Sequence, residues 1–397
     1  MVELGPGSGE HGGEIVFAGP MSRVHESPLT GQYLTGVREI PLPLERRRLG
    51  PRWITLTGAR EHNLQGVDIR IPLGALTVVT GVSGSGKSTL VHDVLYRALE
   101  TQLEGENSAK RHLGEAVGAY EAITGWDAID EVVMIDQSPI GKSPRSNPVT
   151  YIKAFDQIRA IFADAPVARQ RKYTASTFSF NLEAGSLEVE MVFMADVHVP
   201  CDACGGKRFK PEVLDVKVSG KNIAEVLELT VDQAIRFFPR EEKLGQALWQ
   251  LQQVGLGYLR LGQPATTLSG GEAQRVKIAR ELAASTKKKG KKLYIMDEPT
   301  TGLHLDDIRK LAEVMDRLIE HGHTLLLIEH NLDVIKLADW IIDLGPDGGN
   351  EGGKLVAMGR PEEIVEVPES FTGQWLAPIL RRSPVPVAAE KRQRAVR

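Results

Sequence analysis

The chain has 397 residues, of which 42% are hydrophobic and 25% charged, with a formal net charge of −4 and two cysteines. This is an ordinary globular composition for roughly two to three domains; Cys201 and Cys204 alone build no disulfide framework, and near-neutral charge confines any nucleic-acid contact to local patches. No apolar run reaches the roughly eighteen residues of a membrane span, and a cytoplasmic location fits.

The first residues, Met1-Val2-Glu3-Leu4-Gly5-Pro6-Gly7, lack the basic and apolar regions of a signal peptide. The stretch Leu4–Gly19 repeats later as Leu344–Gly359, without a gap and with half of the aligned positions identical. Further on, Thr30-Gly31-Gln32-Tyr33-Leu34 echoes Thr372-Gly373-Gln374-Trp375-Leu376. Repetition over this length indicates a duplicated domain. Residues 1–40 are therefore expected to be the remnant end of a preceding copy of the domain that follows, which makes the chain the second half of a tandem. Pro41-Leu42-Pro43 and Arg46-Arg47-Arg48 mark a linker over residues 41–52.

Residues 53–150 read as the first part of an ATP-binding core. Alternating residues from Trp53 lead into the apolar Ala75–Thr80, a buried strand. Gly81-Val82-Ser83-Gly84-Ser85-Gly86-Lys87-Ser88 follows it and opens a helix, the setting that gives G-x-x-x-x-G-K-[ST] its meaning. Gly81, Ser83, Gly84 and Gly86 let backbone N–H groups close around phosphates at a helix N-terminus. Lys87 supplies a point charge, Ser88 a Mg²⁺ ligand, and Thr89 reaches the α-phosphate. After Val132-Val133-Met134, Gln137 is placed to sense Mg²⁺ and the attacking water.

Residues 151–264 form an insertion, and residues 265–378 return to the core. Ser269-Gly270-Gly271-Glu272 precedes a helical run; the Ser269 hydroxyl and the N–H groups of Gly270 and Gly271 are suited to gripping a γ-phosphate held by an opposing unit. Leu293-Tyr294-Ile295-Met296 is a short apolar strand ending in Asp297-Glu298. It puts Asp297 beside Mg²⁺ and Glu298 where a general base would polarise water. His330 follows the apolar strand Leu325–Ile328 and is placed at the γ-phosphate. Lys287 to Lys292 read as a solvated loop, and residues 379–397 as a disordered basic tail.

In order, these motifs describe an ATPase of the ABC class: α/β, a P-loop core with a mixed/parallel sheet, an antiparallel β subdomain and a helical signature-domain insertion. One phosphate loop and one signature per chain mean that a productive site needs a second ABC ATPase unit. The stretches Ile135–Pro148, Phe178–Asn181, Val199–Arg208, Gly255–Arg275 and Asp297–Asp306 narrow the reading further. They resemble the UvrA family, the DNA-damage-sensing ATPases of bacterial nucleotide excision repair, over about Leu4 to Gly359 of the C-terminal half. The resemblance implies ATP and Mg²⁺ as cofactors, duplex DNA and a downstream excision-repair loading factor as partners, no membrane, and no nuclease activity.

The resemblance also implies a zinc module with two C-x-x-C pairs. Here only Cys201 and Cys204 stand, and Asn181–Glu190 has no cysteine. A structural zinc site needs four ligands. Either His198 and a carboxylate or second chain complete it, or the module is degenerate, a relic turn with two free thiols; the second is the expectation. Lys142, Arg145, Lys172, Lys207 and Arg208 are the candidate DNA contacts, sequence-blind and salt-sensitive if they meet phosphates. Two further readings compete: a truncated, non-catalytic interaction module, and a soluble ABC regulator of a non-DNA target.

Overall fold

The computed structural model describes residues 1–7, 9, 12–104, 116–141, 146–180, 186–189, 197–200, 206–285 and 290–382. They divide into two compact units, one of Glu39–Asp136 with Lys288–Arg397 and one of Met1–Arg38 with Gln137–Lys287.

The first unit is an α/β core. Its six-stranded sheet runs Lys354–Gly359, Trp340–Gly345, Leu76–Gly81, Thr324–Ile328, Lys292–Asp297, Glu131–Ile135 across the molecule. All neighbours are parallel except the edge pair Lys354–Gly359 and Trp340–Gly345. A parallel sheet covered on both faces requires unbroken apolar runs, which Leu293–Met296 and Leu325–Ile328 supply. Leu293, Ile295, Leu326 and Ile328 join Val79, Leu90 and Val94 in one core, where each fully buried aliphatic contributes roughly 1.5–3 kcal/mol. A three-stranded antiparallel sheet, with Trp53–Ala59 between Val67–Pro72 and Ala122–Thr124, forms the expected β subdomain.

The helix Leu305–Glu320 shows how local sequence sets the boundaries. Asp306 N–H donates to His304 Nδ1, and Asp306 and Asp307 complement the positive end of the helix. Ile308, Leu311, Met315, Leu318 and Ile319 bury one face. Gly322, at φ +87°, closes the C-terminus in a conformation that favours glycine.

Residues 41–52, read as a linker, are fastened to this core. Arg46 is fully buried, donates to the Lys336 and Ala338 carbonyls at 2.7 and 3.0 Å, and pairs with Glu362 at 2.9 Å. Arg47 pairs with Asp339 and Asp316. The expected solvated loop also ends early: Lys292 is a buried strand residue paired with Glu131 at 2.9 Å. The hydrophobic stretch it begins draws its aliphatic stem inward while the ammonium finds a carboxylate at the edge.

The second unit is mainly helical. Capping boxes start three of its helices, at Asn147, Asn222 and Thr230, as the N-x-x-T, N-x-x-E and T-x-x-Q spacings favour. Phe155 stacks on Phe180 at 5.0 Å, Phe162 meets Phe178 and Phe180 meets Phe209, giving this unit its own aromatic core. The long helix Gly270–Ser285 belongs here.

The internal repeat is structural as well as sequential. Val2–Gly5 pairs antiparallel with Glu14–Ala18, as Trp340–Gly345 pairs with Lys354–Gly359, and both pairs carry one register shift near the same aligned position. In one copy Glu3 accepts hydrogen bonds from the Ser27 and Thr30 hydroxyls. In the other, Asp343 accepts from Ser370 at 2.6 Å and Thr372 at 2.9 Å. Each serine in turn accepts from a glycine N–H, Gly31 at 2.9 Å and Gly373 at 2.8 Å.

Candidate nucleotide and signature sites

In open parallel sheets, ligands bind beyond the carboxyl ends of the strands. Leu76–Gly81, Lys292–Asp297 and Thr324–Ile328 all end at one place, a cavity of about 400 Å³. Ser83, Gly84, Gly86, Lys87, Ser88, Thr89, Glu298 and His330 line it. The phosphate loop is held from outside: Asn63 Nδ2 donates to the Gly84 and Gly349 carbonyls, both at 3.0 Å, and Gly349 N–H donates to Gly84 O at 3.0 Å. Gly81 lies at φ +132°, where a Cβ would run into the Leu344 carbonyl. Lys87 is nearly buried and donates to the Gly81 and Val82 carbonyls at 3.0 and 2.8 Å. Burial pushes its ammonium below the ordinary lysine range, against the pull of Glu298, Asp297 and Asp343.

Asp297 closes its strand, and its carboxyl is raised chiefly by burial and further by Glu298 and Asp136, while His92 and Lys87 oppose the shift. His92 Nε2 lies 3.4 Å from Asp297 Oδ2. It stands on the helical turn Thr89–Tyr96, which is π-wound. Glu298 has φ +42° and donates its N–H to Ile328 O at 2.9 Å. Its Oε1 comes within 3.6 Å of His330 Nε2. Asp297 and the Ser88 hydroxyl, one carboxylate and one neutral oxygen, match a Mg²⁺ that would arrive with phosphate oxygens rather than one caged by protein alone. Among the described residues no cluster of three or more His, Cys, Asp or Glu is arranged to hold a metal. Cys201 and Cys204 lie outside the described residues, as does the side chain of His198.

Three residues without an assigned role in the sequence reading organise this unit. Glu329 is buried and accepts from Thr300 N–H and Oγ1, at 3.0 and 2.6 Å, and from the N–H groups of His330 and Asn331. It thus ties the turn after Glu298 to the histidine loop. Asp343 accepts from Thr80 as well as from Ser370 and Thr372. Asn63 supports the phosphate loop. Glu329 stands between the strand Leu325–Ile328 and His330, so its position was legible though its role was not; Asn63 and Asp343 carry no signal that a single sequence exposes.

The signature belongs to the other unit. Ser269 N–H and Oγ donate to Glu272 Oε2 at 2.8 and 3.0 Å, and Tyr258 Oη donates to Glu272 Oε1 at 2.6 Å. Gln137 lies in this unit too, and a Cβ on Gly270 would come within 3.1 Å of its side chain. Of the candidate DNA cations, Lys142 and Arg145 fall outside the described residues. Lys172 and Lys207 are exposed, and Arg208 lies over the Phe180 ring at 5.3 Å. The neighbouring Arg169 and Arg171 are paired with Asp164 and Asp215.

A phosphate loop, a strand-end Asp-Glu pair, a loop histidine and a Ser-Gly-Gly helix define an ATP-binding cassette. The sequence model of the ABC transporter family matches residues 64–301, and the chain belongs to that family. Among the described residues no helix is long and apolar enough to cross a membrane. Within the family the similarity is narrower. The chain is 50% identical to UvrABC system protein A of Aquifex aeolicus over 98% of its own length and 42% of the relative's. It is 51% identical to that of Thermus thermophilus, over 96% and 40%. It superposes on UvrA2 from Deinococcus radiodurans with a TM-score of 0.85 and 44% identity, covering 96% of this chain and 46% of that one. The UvrA resemblance read from the motifs is upheld, and the chain spans about two fifths of the length of these curated relatives.

Proposed function

We propose that this chain binds and hydrolyses ATP as one ABC unit of a UvrA-like machine that acts on duplex DNA in nucleotide excision repair. The observation that carries the reading is the meeting of Lys87, Ser88, Glu298 and His330 at one cavity on the carboxyl edge of the sheet. Gly81, Ser83, Gly84, Gly86 and Thr89 wrap the phosphates, and Lys87 leaves its own loop carbonyls for the β- and γ-phosphates. Ser88 and Asp297 would hold the Mg²⁺ that accompanies the nucleotide, and the ion would supply neutralisation of phosphate charge. Glu298 takes the proton of the attacking water, His330 orients the γ-phosphate, and Gln137 reports on the water and the ion.

Ser269, Gly270 and Gly271 serve a nucleotide on a second ABC unit, so turnover needs that unit. Lys142, Arg145, Lys172, Lys207 and Arg208 meet DNA phosphates, a loading factor follows, and strand cleavage is left to other proteins. The cytoplasm is the expected compartment. The test is ATP turnover by the purified protein with and without duplex DNA. Turnover rises with DNA, falls about 100-fold or more on Glu298→Gln, and disappears together with nucleotide binding on Lys87→Ala. Failure to bind any ATP analogue would overturn the proposal.

A further inference from the structure

The signature helix carries an acidic residue where an anion is to be gripped. Glu272 lies in the first turn of Gly270–Ser285. A helix N-terminus favours a phosphate, yet a carboxylate beside it repels one. That repulsion grows several-fold once water is excluded.

Both oxygens of this carboxylate are restrained. Oε2 accepts from Ser269 N–H and Oγ, and Glu272 N–H returns a bond to Ser269 Oγ at 3.3 Å. That reciprocal pair is an ordinary capping box and uses one oxygen. The second oxygen needs no partner for capping, but Tyr258 donates to it at 2.6 Å. Burial, and then the bond to Glu272, push the phenol up to about 12, so it stays a donor. The backbone at Gly9 packs closely on the tyrosine: a Cβ there would lie 2.9 Å from Tyr258 Cβ. Arg275, whose Nε donates to Gly271 O at 3.3 Å, opposes that shift of the phenol.

We infer that Tyr258 is a positioning residue for the signature: it holds the Glu272 carboxylate back, so that Ser269, Gly270 and Gly271 can take a γ-phosphate. The inference rests on the composite-site reading above. Tyr258→Phe keeps the ring and frees one carboxylate oxygen to face the incoming nucleotide. A capping role alone would leave that change without consequence for phosphate.

The test is MgATP-dependent pairing of two copies of the Glu298→Gln protein, followed by analytical ultracentrifugation. Adding Tyr258→Phe is expected to weaken pairing about tenfold, while binding of a fluorescent ATP analogue to the single chain is unchanged. Adding Glu272→Gln as well removes the charge and restores pairing to within about twofold, which a loss of packing would not do. Glu272→Gln alone, with Tyr258 intact, pairs as well as the parent or better. Unchanged pairing with Tyr258→Phe, no rescue by Glu272→Gln, or weaker pairing with Glu272→Gln alone would each overturn the inference. If the Glu298→Gln parent itself never pairs with MgATP, the composite-site reading fails and the inference falls with it.

Discussion

At the scale of single residues, the nucleotide site concentrates negative charge that the fold alone does not neutralise. Asp297 is held above the usual carboxylate range, mainly by burial. For a group raised in the folded state, the favourable contribution is complete below the unfolded value and lost as pH rises through the folded one. At neutral pH without nucleotide, an ionised Asp297 therefore opposes folding. Asp297→Asn is expected to raise the melting temperature of the nucleotide-free protein at pH 7 and to lower Mg²⁺-dependent turnover about 100-fold; calorimetry and a phosphate-release assay read the two effects. Glu329 is a buried carboxylate that accepts from four donors. Glu329→Ala strands those donors and is expected to cost roughly 2–4 kcal/mol in urea denaturation. The sequence pointed to Glu298 and His330 because strand-end position and residue type suffice to place them. It gave Glu329 no task, because four bonds from two separated turns exist only once the strands lie side by side.

At the scale of elements, the repeat makes a paired prediction. Gly31 and Gly373 occupy equivalent places, and a Cβ would strike the Val24 carbonyl in one copy and the Ile364 carbonyl in the other. Alanine at either position is expected to cost roughly 1–3 kcal/mol by overpacking. Hydrogen exchange separates the two: Gly31→Ala loosens Glu14–Ala18, and Gly373→Ala loosens Lys354–Gly359. Similar protection changes at both hairpins in each variant would refute independent copies. The arginine strap illustrates what a sequence hides at this scale. Pro-rich and Arg-rich residues 41–52 have a linker's composition, yet Arg46 finds the Lys336 and Ala338 carbonyls and Glu362, all nearly three hundred residues or more away in the chain.

At the scale of the whole molecule, two units with separate cores carry the nucleotide residues and the signature respectively. An ATP analogue with Mg²⁺ at about 100 times its Kd is expected to stabilise the nucleotide unit by about 2.7 kcal/mol. Differential scanning calorimetry should then show one transition moving and the other staying. A common shift of all unfolding would contradict separate units. Duplex DNA binding, measured across a salt series, is expected to lose about one unit of log–log slope for each phosphate contact removed among Lys172, Lys207 and Arg208. An unchanged slope in the triple alanine variant would place the DNA elsewhere.

The amino-acid sequence by itself determined the ABC class, the order of the nucleotide motifs and the duplication, because each rests on residue types at short fixed spacings or on repeated strings. Apolar runs bounded by glycine or acidic residues also placed the core strands, since a strand buried on both faces has little freedom in composition. Only the tertiary structure decided that Asn63 and Gly349 support the phosphate loop, that Arg46 fastens the apparent linker, and that Tyr258 holds Glu272. These are contacts between single polar groups, from 14 to more than 300 residues apart in the chain. Their energy comes from direction and the exclusion of water, which no local pattern of residues encodes.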